Sequence, residues 1–260
     1  MMAIGRTIIV AAGSVLRGAA DLLLPSVCLA CGQADAVIDG LCESCARKLL
    51  DLVARPYCAR CGSSLSAGAS ARADGCYACP SVLPRFKRVL RLGPYEQPLG
   101  GLIRQLKYRR QDVVRNYLSR LLAEAFAGQC PDERPDVVLA IPAHWRRRFA
   151  RSYDHAGALA GALAHRLGLP LGNELTRIRH TPPQTHLPRT GRIENVRGAF
   201  VAKPSKAITG AHVLLVDDVT TTGATANEAA RTILSAGASA VTLAVVAKAD
   251  PPAAYTKGQI

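Results

Sequence analysis

One stretch of the chain, residues 213–225, constrains the fold more than any other. It begins with an apolar run over residues 213–216, continues with the adjacent carboxylates of Asp217 and Asp218, and ends in a loop of threonine and glycine. A short apolar run is typical of a buried parallel strand, and residues 226–236 predict a helix after the loop. Because ligands of open α/β sheets bind outside the carboxyl ends of the strands, the stretch predicts a ligand site at this turn.

The residue types at this turn indicate the chemistry of its ligand. A helix N-terminus with unpaired N–H groups and small hydroxyl side chains binds anions such as phosphate. The two aspartates would repel a phosphate unless they serve sugar hydroxyls or a divalent metal, and a ribose 5-phosphate group asks for all of these features. The alternative is a strand–turn–helix unit with two surface aspartates and no ligand. The complete string is much more specific than a bare Gly-x-x-Thr loop, so it favours the ligand site.

The string resembles the motif with which type I phosphoribosyltransferases bind phosphoribosyl pyrophosphate (PRPP). The resemblance implies that Asp217 and Asp218 hold the ribose hydroxyls as catalytic residues, and that Mg²⁺ accompanies PRPP. It also implies that the loop cradles the 5-phosphate. The implied phosphate-binding residues are Val219, Thr220, Thr221, Thr222, Gly223, Ala224 and Thr225.

Eight of the nine cysteines form four Cys-x-x-Cys pairs between residues 28 and 79. One such pair presents two thiolates to a metal, and two pairs complete a tetrahedral zinc site. Two structural Zn²⁺ ions are therefore expected, with a disulfide framework as the alternative. The simplest grouping of the ligands is sequential, while the sequence leaves an interleaved grouping open. The sequential sets are Cys28, Cys31, Cys42 and Cys45, and then Cys58, Cys61, Cys76 and Cys79.

The chain of 260 residues carries 33 basic and 19 acidic residues, which gives a formal charge of +14. This excess indicates a polyanionic partner, or else the arginine preference of a GC-rich genome. The apolar run over residues 7–15 imitates a signal peptide but is too short to span a bilayer. No transmembrane segment is expected, and the PRPP motif together with reduced thiols predicts a cytoplasmic protein.

Three segments are expected along the chain. Residues 1–25 form an amphipathic N-terminal helix, residues 26–82 a double zinc ribbon, and residues 83–260 a phosphoribosyltransferase-like domain. Cys130 stands apart from the four pairs and is interpreted as a plain small residue. Further apolar runs predict strands over residues 89–92, 136–141 and 240–247.

Ten basic residues between positions 85 and 120 form a basic zone. Its ordinary interpretation is the solvated face of two helices. The alternative is a surface for single-stranded nucleic acid, on which Tyr95, Tyr108 and Tyr117 stack with the bases. The members of the basic zone are Arg85, Lys87, Arg88, Arg91, Arg104, Lys107, Arg109, Arg110, Arg115 and Arg120.

Two further segments complete the site that the phosphoribosyltransferase resemblance implies. The strand predicted over residues 136–141 is followed by an arginine-rich loop, and the resemblance places the pyrophosphate loop here. The basic, proline-containing segment 175–200 fits a mobile lid that closes over PRPP. The implied pyrophosphate-loop residues are Ile141, Pro142, Ala143 and Arg151, and the implied lid residues are Gln184, Arg192 and Asn195.

Nearly the whole chain resembles the ComF/GntX family of phosphoribosyltransferase-like proteins. The matching runs include Leu-Leu-Pro at residues 23–25, residues 56–62, and Asn-Val-Arg-Gly-Ala-Phe at residues 195–200. Two runs depart from the family pattern. The family usually reads Pro-Val-Pro where this chain has Ile-Pro-Ala from residue 141, and Arg-Gly-Phe-Asn-Gln where it has Arg-Ser-Tyr-Asp-His from residue 151. Asp154 in the second run adds a negative charge near the implied pyrophosphate site.

The expected fold is α/β: a type I phosphoribosyltransferase core with a mostly parallel sheet, preceded by a small cysteine-rich double zinc ribbon. The family resemblance leaves two functions open. The first is Mg²⁺-dependent transfer of phosphoribose from PRPP with release of pyrophosphate, in a role in DNA uptake and natural transformation. The second is non-catalytic binding of single-stranded DNA by a competence protein that keeps the PRPP-binding fold. The resemblance also implies peripheral association with the DNA-uptake machinery.

Overall fold

The computed structural model describes six stretches of the chain, and the helix expected over residues 1–25 lies outside them. The described stretches are residues 27–33, 37–66, 75–108, 111–143, 154–179 and 189–250.

The described elements are helices and strands in a mixed order along the chain. The first are β1 (Val37–Ile38), β2 (Leu41–Cys42) and α1 (Glu43–Ala54). They are followed by β3 (Arg88–Pro94), α2 (Leu99–Tyr108), α3 (Gln111–Gln129), β4 (Val137–Ala140) and α4 (His155–Leu167). The last are β5 (Leu175–Arg177), α5 (Arg189–Val196), β6 (Phe200–Ala202), β7 (His212–Thr220), α6 (Ala224–Ser235) and β8 (Ala240–Lys248).

Strands β3, β8, β7 and β4 form a parallel sheet in that order. Each of the four strands that the apolar runs predict is present in it, so the α/β fold with a parallel sheet is confirmed. β7 lies inside the sheet, with β8 on one side and β4 on the other. A strand in this position has both faces covered, which explains why its sequence is a continuous apolar run rather than an alternating one.

The sheet separates two hydrophobic cores. Leu214 and Val216 of β7 point to the core that contains α2, α3 and α4, whereas Val213 and Leu215 point to the core that contains α6. This alternation follows from the two-residue period of a strand. Both cores are closed to solvent along β7, so the strand's path through the protein is fixed.

The first pair of cysteine knuckles shares the core of the sheet. Leu29, Leu41, Leu49 and Leu52 are buried in the same hydrophobic cluster as the residues of α2. Contact with α2 is so close that a Cβ at Gly101 would lie 2.1 Å from the carbonyl oxygen of Ala30, so this position of α2 accepts only glycine. The division at residue 82 stays a prediction, but the ribbon residues and the sheet form one apolar interior.

The second pair of knuckles covers the edge of the sheet at β3. The N–H group of Val89 donates to the carbonyl oxygen of Ala59 at 2.7 Å. The side chain of Arg91 is fully buried below the ring of Tyr57, with its guanidinium carbon 4.9 Å from the ring centroid, and it donates to Ser64 Oγ at 2.7 Å. The ribbon therefore caps a sheet edge that would otherwise expose unpaired backbone groups.

The segment predicted as a lid has its own secondary structure. β5 and β6 pair as antiparallel strands at its two ends, and α5 lies between them. The N–H group of Gly198, after α5, donates to Glu228 of α6 at 2.7 Å. Arg179 donates to the carbonyl oxygen of Asn195 at 3.0 Å. The described part of the segment is thus attached to α6, while Gln184 lies outside the described residues.

The eight paired cysteines form two separate clusters, and the grouping is sequential. In each cluster the four sulfur atoms lie within 4.8 Å of one another. Cys31 and Cys42 have Sγ atoms 3.9 Å apart, and the Sγ atoms of Cys61 and Cys76 are 3.7 Å apart. A tetrahedral site with the usual Zn–S distance requires sulfur atoms about 3.8 Å apart. The two clusters therefore fit Zn²⁺, and all nine cysteines are free thiols rather than disulfides.

We expect purified protein to hold two zinc ions per chain, and Cys45→Ser or Cys79→Ser to retain one. Structural zinc contributes on the order of 10 kcal/mol to a small module. Because the first cluster shares the core of the sheet, chelation should lower the thermal midpoint of the whole described body. Elemental analysis and thermal unfolding measure both effects.

Cys130→Ser is the matched control, since Cys130 is buried in the core but belongs to neither cluster. It should lose stability and keep both zinc ions. A parent protein that lacks zinc, or a Cys130→Ser protein that loses an ion, would contradict the assignment.

Candidate functional site

The acidic pair lies at the carboxyl end of β7, as the sequence predicts, but within the strand rather than after it. β7 continues to Thr220, and Asp217 pairs with Val245 of β8. α6 then begins at Ala224, two residues earlier than predicted, with Gly223 as its N-cap. The sequence pattern missed this because the polar residues of the strand end carry no apolar signal.

The seven predicted phosphate-binding residues therefore come from three local structures that meet at one place. They are the end of the strand, the turn, and the first turn of the helix. Val219 and Thr220 belong to β7, Thr221, Thr222 and Gly223 form the turn, and Ala224 and Thr225 open α6.

The turn between β7 and α6 is defined by a left-handed glycine and two side-chain hydrogen bonds. Gly223 has φ +77°, in the left-handed region that glycine adopts without strain. The hydroxyl of Thr222 accepts from the N–H group of Ala224 at 3.3 Å. Lys248, the last residue of β8, donates from Nζ to the carbonyl oxygen of Thr221. The lysine thus fixes the turn from the neighbouring strand, and it adds positive charge beside the N–H groups of the helix.

The carboxylates of the acidic pair are held in place by the backbone. Asp217 Oδ1 accepts from the N–H group of Asp218 at 2.8 Å, and Asp218 Oδ1 accepts from the N–H group of Val219 at 2.7 Å. Asp218 Oδ2 lies 2.7 Å from Nζ of Lys107, and the two side chains are only 16% and 27% exposed, respectively. Lys107 belongs to α2, so a strand and a helix meet at this pair.

Burial and the charge of Asp218 raise the pKa of Asp217 well above its usual range. Burial by itself would lower the pKa of Lys107, but the carboxylate of Asp218 outweighs it, and the pKa of the lysine is raised. Two carboxylates side by side repel each other. The ammonium of Lys107 therefore offsets negative charge that one of the carboxylates would otherwise neutralise by taking up a proton.

Mg²⁺ is the second ligand that the sequence predicts here. It binds oxygen atoms in near-octahedral geometry, and an ammonium on the same carboxylate competes with it for that oxygen and repels its charge. Three of the four carboxylate oxygens of Asp217 and Asp218 already accept N–H groups, and one of the donors is the Lys107 ammonium. As arranged, the pair does not fit a metal ion bound directly to it.

The predicted pyrophosphate loop lies next to the acidic pair. The N–H group of Ile141, directly after β4, donates to the carbonyl oxygen of Val216 at 2.9 Å. Pro142 and Ala143 follow and are partly exposed. Parallel pairing of β4 with β7 brings these residues to the same edge of the sheet. Arg151 lies outside the described residues.

Asp154 has a structural role that the family comparison by motif did not predict. It is the N-cap of α4, and Asp154 Oδ1 accepts from the N–H group of Gly157 at 3.0 Å. A carboxylate at this position is stabilised by the helix dipole. Its negative charge is therefore directed to its own helix.

Sequence reasoning placed two site residues elsewhere or missed them. Lys107 was assigned to the basic zone, although it follows the buried Leu106 in the last turn of α2. Lys248 received no role, although it closes a fully apolar run at a strand end. Both lysines reach the site through pairing and packing over long sequence distances. The sequence signal that identifies Lys248 is a lysine directly after the apolar residues of a predicted buried strand.

We expect Gly223→Ala to lower the affinity for ribose 5-phosphate at least about tenfold. A non-glycine residue in the left-handed region costs about 1–2 kcal/mol, and the turn would move to relieve that strain. Titration calorimetry measures the affinity. Gly210→Ala is the matched control, since Gly210 has φ +75° and precedes β7 at the opposite end of the sheet. Both variants should lose similar stability, and equal loss of affinity in both would contradict the role of the turn.

Comparison with known proteins adds to this geometry. Residues 19–80 match the double zinc ribbon domain family, and residues 155–257 match the phosphoribosyl transferase domain family. A glutamine PRPP amidotransferase from B. subtilis has a similar structure over 55% of this chain and 30% of its own, with 23% identity and a TM-score of 0.38.

Two relatives extend over most of the chain. The DNA utilization protein YhgH of Salmonella typhimurium is 32% identical over 225 residues, which cover 85% of this chain and 96% of that protein. Competence protein F of Haemophilus influenzae is 31% identical over 216 residues, which cover 81% of this chain and 91% of that protein. With both domains and these relatives, the chain belongs to the ComF/GntX family of double zinc ribbon and phosphoribosyltransferase-like proteins.

Proposed function

We propose that this chain binds PRPP, or a related ribose phosphate, at the carboxyl end of β7 and transfers its phosphoribosyl group with release of pyrophosphate. The observation that carries the proposal is the acidic pair at the end of β7, followed after a short turn by a helix with Gly223 as its N-cap. The phosphoribosyl transferase match over residues 155–257 supports it, because the match includes both features.

In this proposal, different groups of the chain bind different parts of the ligand. The N–H groups of the turn and of the first turn of α6 bind the 5-phosphate. The carboxylates of Asp217 and Asp218 accept hydrogen bonds from the ribose hydroxyls. Transfer breaks the bond between the anomeric carbon and an oxygen of pyrophosphate, which leaves with the bonding electrons, and forms a bond from that carbon to a nucleophilic atom of the acceptor, whose proton passes to solvent. The developing positive charge on the sugar is stabilised by the two carboxylates beside it. Positioning and electrostatics supply the rate.

The other predicted residues take proposed roles around this centre. Ile141, Pro142 and Ala143 bind the pyrophosphate together with Arg151. Residues 141–143 are suited to this role because they lie beside the end of β7. Arg192 and Asn195 on α5 form the described part of the lid, and Gln184 completes it. The link between Gly198 and Glu228 supports this assignment, because it ties the lid to the helix that starts at the phosphate.

We further propose that the protein acts in DNA uptake or DNA utilization, since its relatives bear the names competence protein F and DNA utilization protein YhgH. PRPP is a cytosolic metabolite, so the proposed location is the cytoplasm, at the periphery of the DNA-uptake machinery. Across the described stretches, none of the helices combines the length and the apolar character needed to cross a membrane.

Binding of single-stranded DNA is the second candidate function, and the basic zone was its predicted surface. Six of its ten members contact carboxylates within the described residues, which reduces the positive charge available to a nucleic acid. Arg109 and Arg110 lie outside the described residues. The paired members are Lys87 and Arg88 with Glu133, Arg91 with Asp250, Lys107 with Asp218, Arg115 with Asp112, and Arg120 with Asp39.

Among the described members of the basic zone, Arg104 lies near an aromatic ring at an exposed place. A Cβ at Gly100 would lie 3.7 Å from the guanidinium of Arg104 and 3.9 Å from the ring of Tyr95, so both side chains lie next to Gly100. Arg104 is exposed, and Tyr95 is 39% exposed. Tyr117, in contrast, is half-buried under the guanidinium of Arg120. Stacking of a base is therefore supported at Tyr95.

We expect the double substitution Asp217→Asn, Asp218→Asn to weaken PRPP binding at least about 100-fold, because each lost hydrogen bond to a charged group is worth about 1.5–3 kcal/mol. Calorimetry measures binding, and a pyrophosphate-release assay separates transfer from binding alone. Asp136→Asn is the control, since Asp136 accepts a backbone N–H group at 2.7 Å at the opposite end of the sheet. Unchanged PRPP affinity in the double variant would contradict the proposal.

For DNA, Arg104→Glu should make the dependence of log affinity on log salt shallower by about 0.7, the value for one lost phosphate contact with a single strand. Fluorescence anisotropy with a labelled oligonucleotide measures this slope. Arg120→Glu changes the net charge equally, but it removes a guanidinium already paired with Asp39 and Tyr117, so its slope should match the parent. Equal slopes for all three proteins would exclude Arg104 as a DNA contact.

A further inference from the structure

Lys107 gives the acidic pair a positive charge of its own. Its ammonium lies 2.7 Å from Asp218 Oδ2, the distance of a charge-assisted hydrogen bond. Among the described residues it is the cation that contacts this pair. In Mg²⁺ sites, one or two carboxylates and the substrate phosphates share the metal, which supplies positive charge between them.

The lysine is held in position by the packing of α2. Leu102, Ile103 and Leu106 are fully buried in the core on one face of the helix. Gly101 lies against the carbonyl oxygen of Ala30 in the first zinc ribbon. The backbone of α2 is therefore fixed from both sides, and Lys107 in its last turn reaches Asp218 from a rigid base. This differs from a surface lysine, whose flexible side chain pairs weakly.

We propose that Lys107 is a positioning residue that acts as the resident counter-cation of the ribose-binding carboxylates, so that this site binds the ribose 5-phosphate moiety without a divalent metal. The proposal rests on the ribose phosphate site proposed above. It assigns any dependence on Mg²⁺ to ligands that bring a pyrophosphate group with them. The arrangement of the carboxylate oxygens agrees with it, because Lys107 already occupies an oxygen that a metal would need.

The affinity of the site for ribose 5-phosphate, with and without Mg²⁺, tests the proposal. Titration calorimetry is carried out on the zinc-loaded full chain in buffer freed of divalent ions on a chelating resin before the protein is added, so that the zinc is kept. The parent protein should bind equally well, within about twofold, in this buffer and in millimolar Mg²⁺.

Lys107→Gln should bind ribose 5-phosphate at least about tenfold more weakly without metal, because a charged hydrogen-bond partner is lost. Added Mg²⁺ should restore part of this affinity, a recovery that a merely structural role would not produce. Lys107→Arg keeps the charge and should keep binding that does not depend on metal. Lys87→Gln is the matched control, since Lys87 pairs with Glu133 at 2.8 Å near the opposite end of the sheet, and it should bind like the parent.

The outcomes separate this inference from the proposed function. A parent protein that binds ribose 5-phosphate only with Mg²⁺ would keep the proposed function and overturn the role of Lys107. Parent-like affinity of Lys107→Gln without metal would overturn it as well. Absence of binding to the parent in both buffers would overturn both proposals. Zinc content and circular dichroism of each variant confirm that a lost affinity does not come from unfolding.

Discussion

The parallel pairing of β7 between β8 and β4 determines where everything else at the site can lie. β7 is buried on both faces and hydrogen-bonded on both sides, so its register is fixed. Its carboxyl end therefore emerges beside those of its two neighbours, which places Ile141 on one side and Lys248 on the other. The acidic pair cannot move without breaking this ladder. A ligand that binds here meets groups from three strands and two helices that the two cores hold in place.

The end of β8 connects this site to the second zinc ribbon. On one side, the N–H group of Ala249 donates to the carbonyl oxygen of Thr220 at 2.8 Å, directly before the turn of residues 221–223. On the other side, Ser64, just after the Cys58–Cys61 knuckle, donates from Oγ to Asp250 at 2.6 Å. The first ribbon contacts α2, which carries Lys107. Both ribbons therefore adjoin elements of the site, and they form part of its framework rather than an independent appendage.

Local patterns predicted those parts of the molecule that depend on neighbouring residues. Apolar runs located the four strands, the Cys-x-x-Cys spacing located both metal clusters, and Gly32 and Gly62 form the left-handed turns of their knuckles. The strand–turn–helix string placed the acidic pair. Contacts between distant segments were beyond such patterns, because they depend on how elements pack. The sequence pattern places Lys107 on a surface and leaves the grouping of the cysteines open. The three-dimensional positions of the sulfur atoms determine that the grouping is sequential.

Charge is the property for which the structure differs most from the sequence-based prediction, because it too depends on contacts between distant segments. A net charge of +14 suggested a polyanion-binding surface, yet composition does not tell where each charge is neutralised. In the structure, Arg91 is buried against Asp250, and Glu133 forms ion pairs with both Lys87 and Arg88. These cations join strands and ribbons to one another, so their charge acts inside the protein. Among the described members of the zone, Lys107 contacts the acidic pair, so its charge offsets that of two adjacent carboxylates at the carboxyl end of β7. The basic zone is therefore better understood as the means by which this fold holds its acidic residues than as a uniform surface for nucleic acid.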